Sequence, residues 1–494
     1  MRRVLKYIKE FGSVTTLHGI SHIVSGNRHP AEIYLWVAVT VVAAVTSLYL
    51  IVDNWQRYNA NPTVLSLDKN FRSWRVPFPA ATVCLFDRVN RTAATALINR
   101  LWGVKPKDKK FPYYMRFVQS VGNMTYDNLE EFEEFQYDSE LYTVNLPALA
   151  RMVQINLTYS SYIFNPLYKY MKFEETITEM GICYTYNGVL TDYISLSKNV
   201  KTALTKDVDP PYCNFLNSLC YARIEDLPGM MRYYIHSPFE IPDLSSQFYI
   251  VQPSRERDTS FRFLQTVPSP DLRDLLPRQR NCRFMDEPKK DMSSPVYSYN
   301  LCRMNCRKRL AFTKCGCAPY FYLAKKDIPV CTVKGLACLV PHRELITKLI
   351  LPDGSPYPCP CTLPCKDIEY YVDKDVERDW SYPVPCNIRF RWAIEVYAKT
   401  RVRREIIFGL EDLLVSFGGT AAFFLGFSVI TFVEIIYFFT LRLYWFLRSH
   451  KNEDTKVVQK KLNGPKVKVN PHNNEEPKVI KKRLNRPTIK VNQW

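Results

Sequence analysis

An apolar run near the C-terminal end of the chain is interrupted by glycine, serine and one carboxylate. It extends from Leu413 to Leu441 and carries no charged residue before Glu434. At 1.5 Å per residue it is long enough to cross a bilayer core of about 30 Å. Gly419, Ala422 and Gly426 share one helix face, on which backbone groups can line a narrow path or pack against another helix. The run therefore predicts a pore helix or, as the alternative, an anchor that dimerises through its glycines.

A second apolar span and the charge distribution predict how the chain crosses the membrane. Residues 33–52 contain 20 uncharged residues, so two spans place both termini on one side. Residues 1–32 and 442–494 carry +13 of the formal charge of +19, which places both ends in the cytoplasm by the positive-inside rule. The basic excess then reflects topology and nearby anionic lipid, and it does not indicate nucleic-acid binding. Glycosylation sequons begin, all in the middle of the chain, at Asn90, Asn123 and Asn156.

These observations divide the chain into five segments. We expect a cytoplasmic N-terminus over 1–32, a first membrane helix over 33–52 and an extracellular cysteine-rich domain over 53–405. A second membrane helix with the pore follows over 406–441. The basic tail, 442–494, contains a repeat of period 22 and is expected to be disordered in the cytoplasm.

All 15 cysteines lie between Cys84 and Cys386, as expected for one oxidised domain outside the cell. Cys302 and Cys306 are four residues apart, which places them on one face of a helix. The CxC and CxxxC pairs are also compatible with zinc, but sequons in the same domain favour disulfides. Cys213 and Cys220 flank six residues and predict a local disulfide loop, and Cys386 is the odd cysteine.

Local patterns predict the elements of this domain. Strands are expected at AATVCLF, at MGICYTYNG with its Asn-Gly turn, at YYIHS and FRFLQTV, and in the segment that returns to the membrane after residue 366. Helices are expected at TAATALINRLW and NLEEFEEF. The acidic residues of the second helix predict a solvated face, and a proton or calcium site is the less favoured interpretation.

These motifs in this order resemble the degenerin/epithelial sodium channel superfamily, and the insect pickpocket branch most of all. The resemblance covers residues 1 to about 445 and rests on His18-Gly19, FPAATVC, GICYTYN, PCPCTLPC and SFGGTAAFFLGFSVITFVEII. It implies an α+β membrane protein with two transmembrane helices and a disulfide-rich ectodomain. That ectodomain would have a β-sheet palm and a helical finger, thumb and knuckle. The resemblance also implies trimers, of one chain or of related subunits, that pass Na⁺ and are often blocked by amiloride.

The resemblance also assigns roles to particular residues. Gly426-Phe427-Ser428 matches the Gly-x-Ser selectivity filter, and Glu434 matches an acid below it. His18-Gly19 matches a gating motif, although by itself a His-Gly pair is more often a linker. The remaining pore and gate residues implied by the match are Val415, Ser416, Gly418 and Gly419. The family pairing implies the disulfides Cys84–Cys183, Cys282–Cys365, Cys302–Cys361, Cys306–Cys359, Cys315–Cys338 and Cys317–Cys331, with Cys386 left free.

Three positions depart from the family pattern. Val415 occupies a gate position at which the family has a small residue, and large residues there are associated with channels that close incompletely. Ser416 stands where proton-gated relatives carry an acid, and the stretch before Cys282 lacks their coupling aromatic. Proton gating of the vertebrate kind is therefore not predicted.

The function predicted is that of a gated sodium channel subunit of the plasma membrane, in sensory or epithelial cells. The alternative is a non-conducting receptor or partner subunit that needs another family member. A trimeric ATP-gated channel is disfavoured by the cysteine pattern and by Gly426-Phe427-Ser428. No phosphate loop, metal-helix motif or nucleophile signature indicates an enzyme, and no cofactor is expected besides the permeant ion.

Overall fold

The chain divides into two compact units, Met1–Ile51 with Ser416–Trp494, and Val52–Val415. The computed structural model describes residues 2–25, 28–157, 162–164, 173–194, 209–216, 220–225, 227, 229–322, 328–379, 388–446 and 448. Cys386 and the repeat in the tail lie outside these residues. The first unit contains the apolar helices, and the second contains the sheets and the disulfides.

The α-helices of the described residues are α1 Arg2–Val14, α2 Ile20–Val24, α3 Pro30–Ala60, α4 Arg91–Trp102, α5 Phe111–Gly122, α6 Leu146–Val153, α7 Pro277–Arg280, α8 Tyr299–Cys315, α9 Val333–Leu339, α10 Arg343–Lys348, α11 Leu410–Leu425 and α12 Val429–Tyr437. Short 3₁₀ turns lie at Phe71–Ser73, Tyr126–Glu133, Ser139–Thr143, Thr191–Tyr193, Pro270–Asp274 and Val340–His342. A π-helical turn, Phe438–Arg442, extends α12.

The strands are β1 Thr63–Asp68, β2 Val76–Pro77, β3 Ala80–Leu85, β4 Tyr162–Phe164, β5 Glu174–Thr178, β6 Gly181–Tyr186, β7 Tyr212–Cys213, β8 Tyr221–Glu225, β9 Met231–His236, β10 Tyr249–Val251, β11 Arg255–Pro268, β12 Asp367–Asp379, β13 Arg389–Ile394 and β14 Arg401–Ile406. One sheet has the order β1-β14-β11-β13-β8-β4, and β12 also pairs with β11. A second sheet has the order β10-β9-β3-β6-β5, and β2 pairs with β7.

Aromatic side chains from strands of both large sheets form one core of the second unit. Trp392 and Phe390 of β13 stack with ring centroids 5.0 Å apart, and Phe390 also stacks on Tyr233 of β9 at 4.6 Å. Each of these rings is almost fully buried. Burial of one such side chain is worth roughly 1.5–3 kcal/mol, so this cluster holds the sheets of the second unit together.

A helical layer covers a second core of this unit, and disulfides reinforce it. Leu97, Phe117, Leu149 and Leu310 from α4, α5, α6 and α8 belong to this core. Ser298 caps the start of α8, where its hydroxyl accepts the N–H of Leu301 at 3.2 Å. The chain contains the bridges Cys84–Cys183, Cys213–Cys220, Cys282–Cys365, Cys302–Cys361, Cys306–Cys359, Cys315–Cys338 and Cys317–Cys331. Six of these are the pairs that the family resemblance implies, and Cys213–Cys220 is the local loop predicted from its spacing.

A buried ionic cluster joins α8 to the turn between β5 and β6. The Arg307 side chain is fully buried, and its Nη1 lies 2.7 Å from Glu179 and 3.1 Å from Asp243. The Tyr322 hydroxyl donates to the other Glu179 oxygen at 2.8 Å. Burial raises the pKa of Glu179, an effect that Arg307 partly offsets. Because removal of one partner leaves a buried charge unpaired, this cluster fixes where α8 lies on the sheet.

Among the residues that the structure describes, two helical segments are long and apolar enough to cross a membrane, Pro30–Ala60 and Val429–Phe446. The first is longer at both ends than the predicted span 33–52. In the second region, residues 426–428 separate α11 from α12, and helical residues continue past 441. Both apolar segments lie mainly in the first unit, Met1–Ile51 with Ser416–Trp494.

Most of the predicted local elements are present, and one differs in type. AATVCLF, MGICYTYNG and FRFLQTV form β3, β6 and part of β11, and TAATALINRLW forms α4. The predicted helix at NLEEFEEF is wrong in type, since Tyr126–Glu133 is a 3₁₀ segment. Asn128 has φ −115° and ψ 20°, and its side chain accepts the N–H of Thr125 at 2.7 Å. This bond is half of a capping box with Thr125, so the segment starts like a helix, and the non-helical backbone of Asn128 then interrupts it.

The sequon residue Asn90 also caps the start of α4. Capping and glycan attachment use different atoms of its side chain. Its Oδ1 accepts the N–H groups of Thr92 and Ala93 at 3.0 and 3.1 Å, whereas a glycan would be attached to Nδ2.

We predict that Asn90→Asp and Asn90→Ala both remove one glycan. Only the alanine variant should lose the cap, at a cost of about 1 kcal/mol. Gel mobility with and without deglycosylation and thermal melting measure the two effects. Equal melting of the two variants would contradict the capping role.

The partly buried carboxylate Glu240 predicts a pH-dependent stability of the second unit. Its oxygens accept the N–H groups of Tyr299 and Asn300 at 2.8 and 3.2 Å, at the start of α8. Burial raises the pKa of Glu240 from 4.5 to about 7, and these N–H groups oppose the shift. The folded state therefore keeps a proton that the unfolded chain has lost between these two values.

We predict that this contribution to the free energy of unfolding is complete below about pH 4.5 and is lost as the pH rises through about 7. Glu240→Gln should remove about 1–3 kcal/mol of this dependence. Denaturant unfolding between pH 4.5 and 7.5 measures it, with exposed Glu344→Gln as the control. The same pH dependence in wild type and Glu240→Gln would exclude the assignment.

Candidate functional site

The end of α11 is set by Gly426, which lies between the two helices of the apolar run. Gly426 has φ +66°, a left-handed conformation that favours glycine and ends helices. Its N–H donates to Ala422 at 2.9 Å, and the N–H of Phe427 donates to Ala421 at 3.3 Å. The backbone turns here with these donors satisfied inside the protein, as a membrane setting requires.

Ser428 restarts the helix as the N-cap of α12. Its hydroxyl accepts the N–H of Thr431 at 3.2 Å, and the Thr431 hydroxyl accepts the N–H of Ser428 at 3.3 Å. This reciprocal capping box satisfies two N–H groups at the helix start. Gly426-Phe427-Ser428 is thus an ordered, non-helical connection held at both ends.

His18 lies directly against this connection, and Gly19 lies against α3. The N–H of His18 donates to the Leu425 carbonyl at 2.9 Å. A Cβ at Gly426 would lie 2.6 Å from two atoms of the His18 ring, so the imidazole covers the glycine backbone. Gly19 has φ +83°, and a Cβ there would lie 2.4 Å from the Thr40 hydroxyl of α3. Both glycines are therefore needed for close approach as well as for their backbone conformation.

A chain of oxygen atoms runs from Ser428 to Glu434. The hydroxyls of Ser428 and Thr431 are 3.1 Å apart, and Thr431 is 2.8 Å from the hydroxyl of Thr16. Thr16 is also 3.2 Å from the Glu434 carboxylate. Such hydroxyl and carboxylate oxygens are suitable ligands for hard cations, and the carboxylate supplies a negative charge.

The helix α1 packs against the end of the last helical segment. The Tyr7 hydroxyl donates to the Phe438 carbonyl at 2.5 Å, in the π-helical turn. The Phe11 ring lies 5.2 and 5.4 Å from the rings of Phe438 and Phe439. Glu10 and Arg442 form an ion pair. These contacts hold the segment that carries Thr16 and His18 beside α12.

The other predicted pore residues lie earlier in the run. The structure brings His18 together with Gly426, places Gly19 against Thr40 of α3, and links Ser428 to Glu434 through hydroxyls. Val415 is 74% exposed on α11. Gly418 and Gly419 on the same helix have open space within this chain where a Cβ would be added. Ser416 lies between them and Val415, so these four share a helix but not the contacts of His18.

Sequence reasoning missed Thr16, Thr431, Tyr7 and Glu10. Ser428 is a residue type that favours an N-cap, but Thr431 is not the Glu or Gln of the usual capping-box pattern, so their pairing was not evident from the sequence. Thr16 lies two residues before His18, but its partner is 415 residues away in sequence, and no local pattern reports that contact.

Comparison with known proteins identifies the family. A sequence model of the family "Amiloride-sensitive sodium channel" matches residues 11–438. Pickpocket protein 19 of Drosophila melanogaster is 22% identical, over 88% of this chain and 90% of that protein. Sodium channel protein Nach of the same species is 20% identical over 88% and 87%, and the bile acid-sensitive ion channel of Mus musculus is 21% identical over 90% and 89%.

The chain therefore belongs to the amiloride-sensitive sodium channel family, and it is a pickpocket-like member of the degenerin/epithelial sodium channel superfamily. The predicted membership is confirmed. This is a family of membrane ion channels, so the predicted absence of an enzymatic role is also confirmed.

The contact between His18 and Gly426 predicts a coupled pair of mutations. Gly426→Ala should impair folding or current, because it combines a left-handed φ with a clash against the imidazole. His18→Ala should relieve the clash but not the backbone strain. We expect a coupling energy of at least about 1 kcal/mol in thermal unfolding of the double-mutant cycle. Gly418→Ala, which has open space within the chain, is the control. Additive effects would contradict the contact.

Proposed function

We propose that this chain is a pore-forming subunit of a gated, sodium-selective, amiloride-sensitive cation channel. The observation that carries the proposal is the ordered helix break at Gly426-Phe427-Ser428, from which hydroxyls lead to Glu434. A plain membrane anchor has no need of a break that leaves an apolar span non-helical. Non-helical backbone at membrane depth is tolerated where it is buried in protein or lines a water-filled cavity.

In this proposal, Gly426, Phe427 and Ser428 form the selectivity filter. Carbonyl groups and the Ser428 hydroxyl replace part of the water shell of Na⁺ when three subunits bring these residues together around one axis. His18 supports the filter, because its N–H holds Leu425 and its ring covers Gly426. A change in the position of the His18 segment would therefore change the filter backbone.

Glu434 raises the local cation concentration beside the filter. A carboxylate in an apolar segment is costly unless it faces water or a partner, and here Thr16 donates to it. Three such charges around a narrow path attract Na⁺ by their field, an effect that falls with ionic strength.

The gate is proposed at Val415, Ser416, Gly418 and Gly419 on α11. The small residues allow close approach of three helices, whereas Val415 adds bulk at the point where helices would meet. We propose assembly as a homotrimer or a mixed trimer with related subunits, in the plasma membrane, with both termini in the cytoplasm. Sensory or epithelial cells are the proposed setting.

The second candidate function is a non-conducting partner subunit. Val415 favours it as an alternative, because a bulky residue at the gate position is compatible with a subunit that works only beside smaller residues of other subunits. Recording the chain alone and then with related subunits separates the two.

We predict that Glu434→Gln lowers single-channel sodium conductance about two- to threefold in 20 mM salt and has little effect in 1 M salt. Loss of the local negative field is the cause, and voltage-clamp recording of the glycosylated surface protein is the measurement. Glu344→Gln, an exposed carboxylate of the second unit, is the matched control.

Three outcomes are informative. Unchanged conductance in low salt would remove Glu434 from the ion path. Silence of the wild-type chain at the surface, followed by current on co-expression with a relative, would favour the partner subunit. A current that amiloride blocks and Glu434→Gln alters would establish a self-sufficient channel.

A further inference from the structure

A cavity of about 690 Å³ opens among the helices α4, α5 and α6 of the second unit. Its lining comes from the end of α4, the start of α5, the 3₁₀ turn Ser139–Thr143 and one face of α6. Pockets that bind small molecules have about this size, with apolar walls and a few polar groups. The proposed ion path uses none of these residues, so the cavity is a separate feature of the chain.

One part of the cavity wall is aromatic and aliphatic, and polar side chains such as Thr143 and Asn145 form another part. Trp102 and Tyr114 stack with ring centroids 4.5 Å apart and an angle of 19° between the rings. Leu101 and Met152 are 45% and 46% exposed and both line the cavity, and Leu149 lies beside them. A flat aromatic wall beside exposed aliphatic side chains offers a surface for an apolar chain, because covering these groups removes them from water.

One side of the cavity carries a basic loop. Val104 and Lys110 line the cavity, so the residues between them begin and end at its edge. All four lysines of this loop are exposed, and none forms an ion pair with a described residue: Lys105, Lys107, Lys109 and Lys110. The Asp108 carboxylate accepts the N–H of Lys105 at 2.6 Å. The loop therefore presents a net positive charge beside a cavity that has an aromatic and aliphatic wall.

The acid that lines the cavity is already engaged. The Glu140 carboxylate accepts the Tyr114 hydroxyl at 3.1 Å. Burial, and then this hydrogen bond, raise the pKa of Tyr114, so the phenol keeps its proton at neutral pH. The lysines thus remain available for an anionic group, whereas Glu140 serves the internal hydrogen bond.

We propose that this cavity binds a single-chain amphiphile with a carboxylate head, such as a long-chain fatty acid. The apolar chain lies against Trp102 and Tyr114, and the carboxylate is held by Lys110 and the neighbouring lysines of the loop. This proposal concerns binding only. Its test therefore does not depend on whether the chain conducts ions.

The test is photolabelling of the purified full-length chain in nanodiscs. The probe is octadecanoic acid that carries a diazirine on its chain, and the labelled peptides are identified by mass spectrometry. We expect label within residues 101–152. Octadecenoate should displace it about tenfold better than octadecenol, the neutral molecule of the same length, which corresponds to about 1.4 kcal/mol.

Two variants test the two parts of the site. Met152→Trp fills the cavity and should reduce labelling of this segment about tenfold, whereas Lys110→Gln should weaken competition by octadecenoate but not by octadecenol. Both positions are exposed, so folding should be retained. Met230→Trp and Lys290→Gln are the matched controls, at an exposed methionine and a lysine outside the cavity.

Several results would overturn the proposal. Label confined to the apolar helices would show that the probe reports only lipid partition. Equal competition by the acid and the alcohol would remove the carboxylate from recognition. Labelling of 101–152 that neither Met152→Trp nor Lys110→Gln changes would exclude the cavity as the site.

Discussion

The first unit depends on one constraint: the backbone N–H and C=O groups at the break in its apolar helix must find hydrogen-bond partners inside the protein. An interrupted backbone in a membrane loses helical hydrogen bonds, and each unsatisfied group there costs several kcal/mol. Here Leu425 accepts the N–H of His18, and Ser428 and Thr431 cap each other. The break is therefore stable because an N-terminal segment lies against it, and this joins the two ends of the sequence in one structure.

A different constraint governs the cysteine-rich unit. Its sheets and helices are held by aromatic packing, by disulfides and by the buried cluster around Arg307. The disulfides restrict how far α8 can move from its neighbours. The ion pair of Arg307 with Glu179 fixes the position of α8 against the turn after β5. Charged groups without partners would destabilise such an interior, so Glu179, Asp243 and Arg307 act as one unit.

Much of the organisation could be predicted from sequence, because it depends on local patterns and on specific spacing. Apolar length predicted the helical spans, and Asn187-Gly188 predicted the turn after β6. The family pattern of cysteines implied pairs up to 99 residues apart. The 3₁₀ segment at Tyr126 was missed, since the capping box between Thr125 and Asn128 also occurs at α-helix starts and the non-helical backbone of Asn128 has no sequence pattern of its own.

The candidate site was predictable only in part. Gly426, Ser428 and Glu434 stand out because polar and flexible residues are rare in apolar runs. The contacts of Thr16 and Tyr7 depend on the tertiary fold, as does the cavity beside Trp102, whose walls come from separate helices. A sequence shows which residues are unusual for their surroundings, but it does not show which distant groups satisfy them.

The most direct test of the central claim is the reversal potential of the chain under mixed external Na⁺ and K⁺, in wild type and in Ser428→Ala and Ser428→Cys. If residues 426–428 select the ion, the sodium preference should decrease in both variants while the protein still reaches the surface. A measurable wild-type current with the same reversal potential in all three would contradict the account and place selectivity elsewhere.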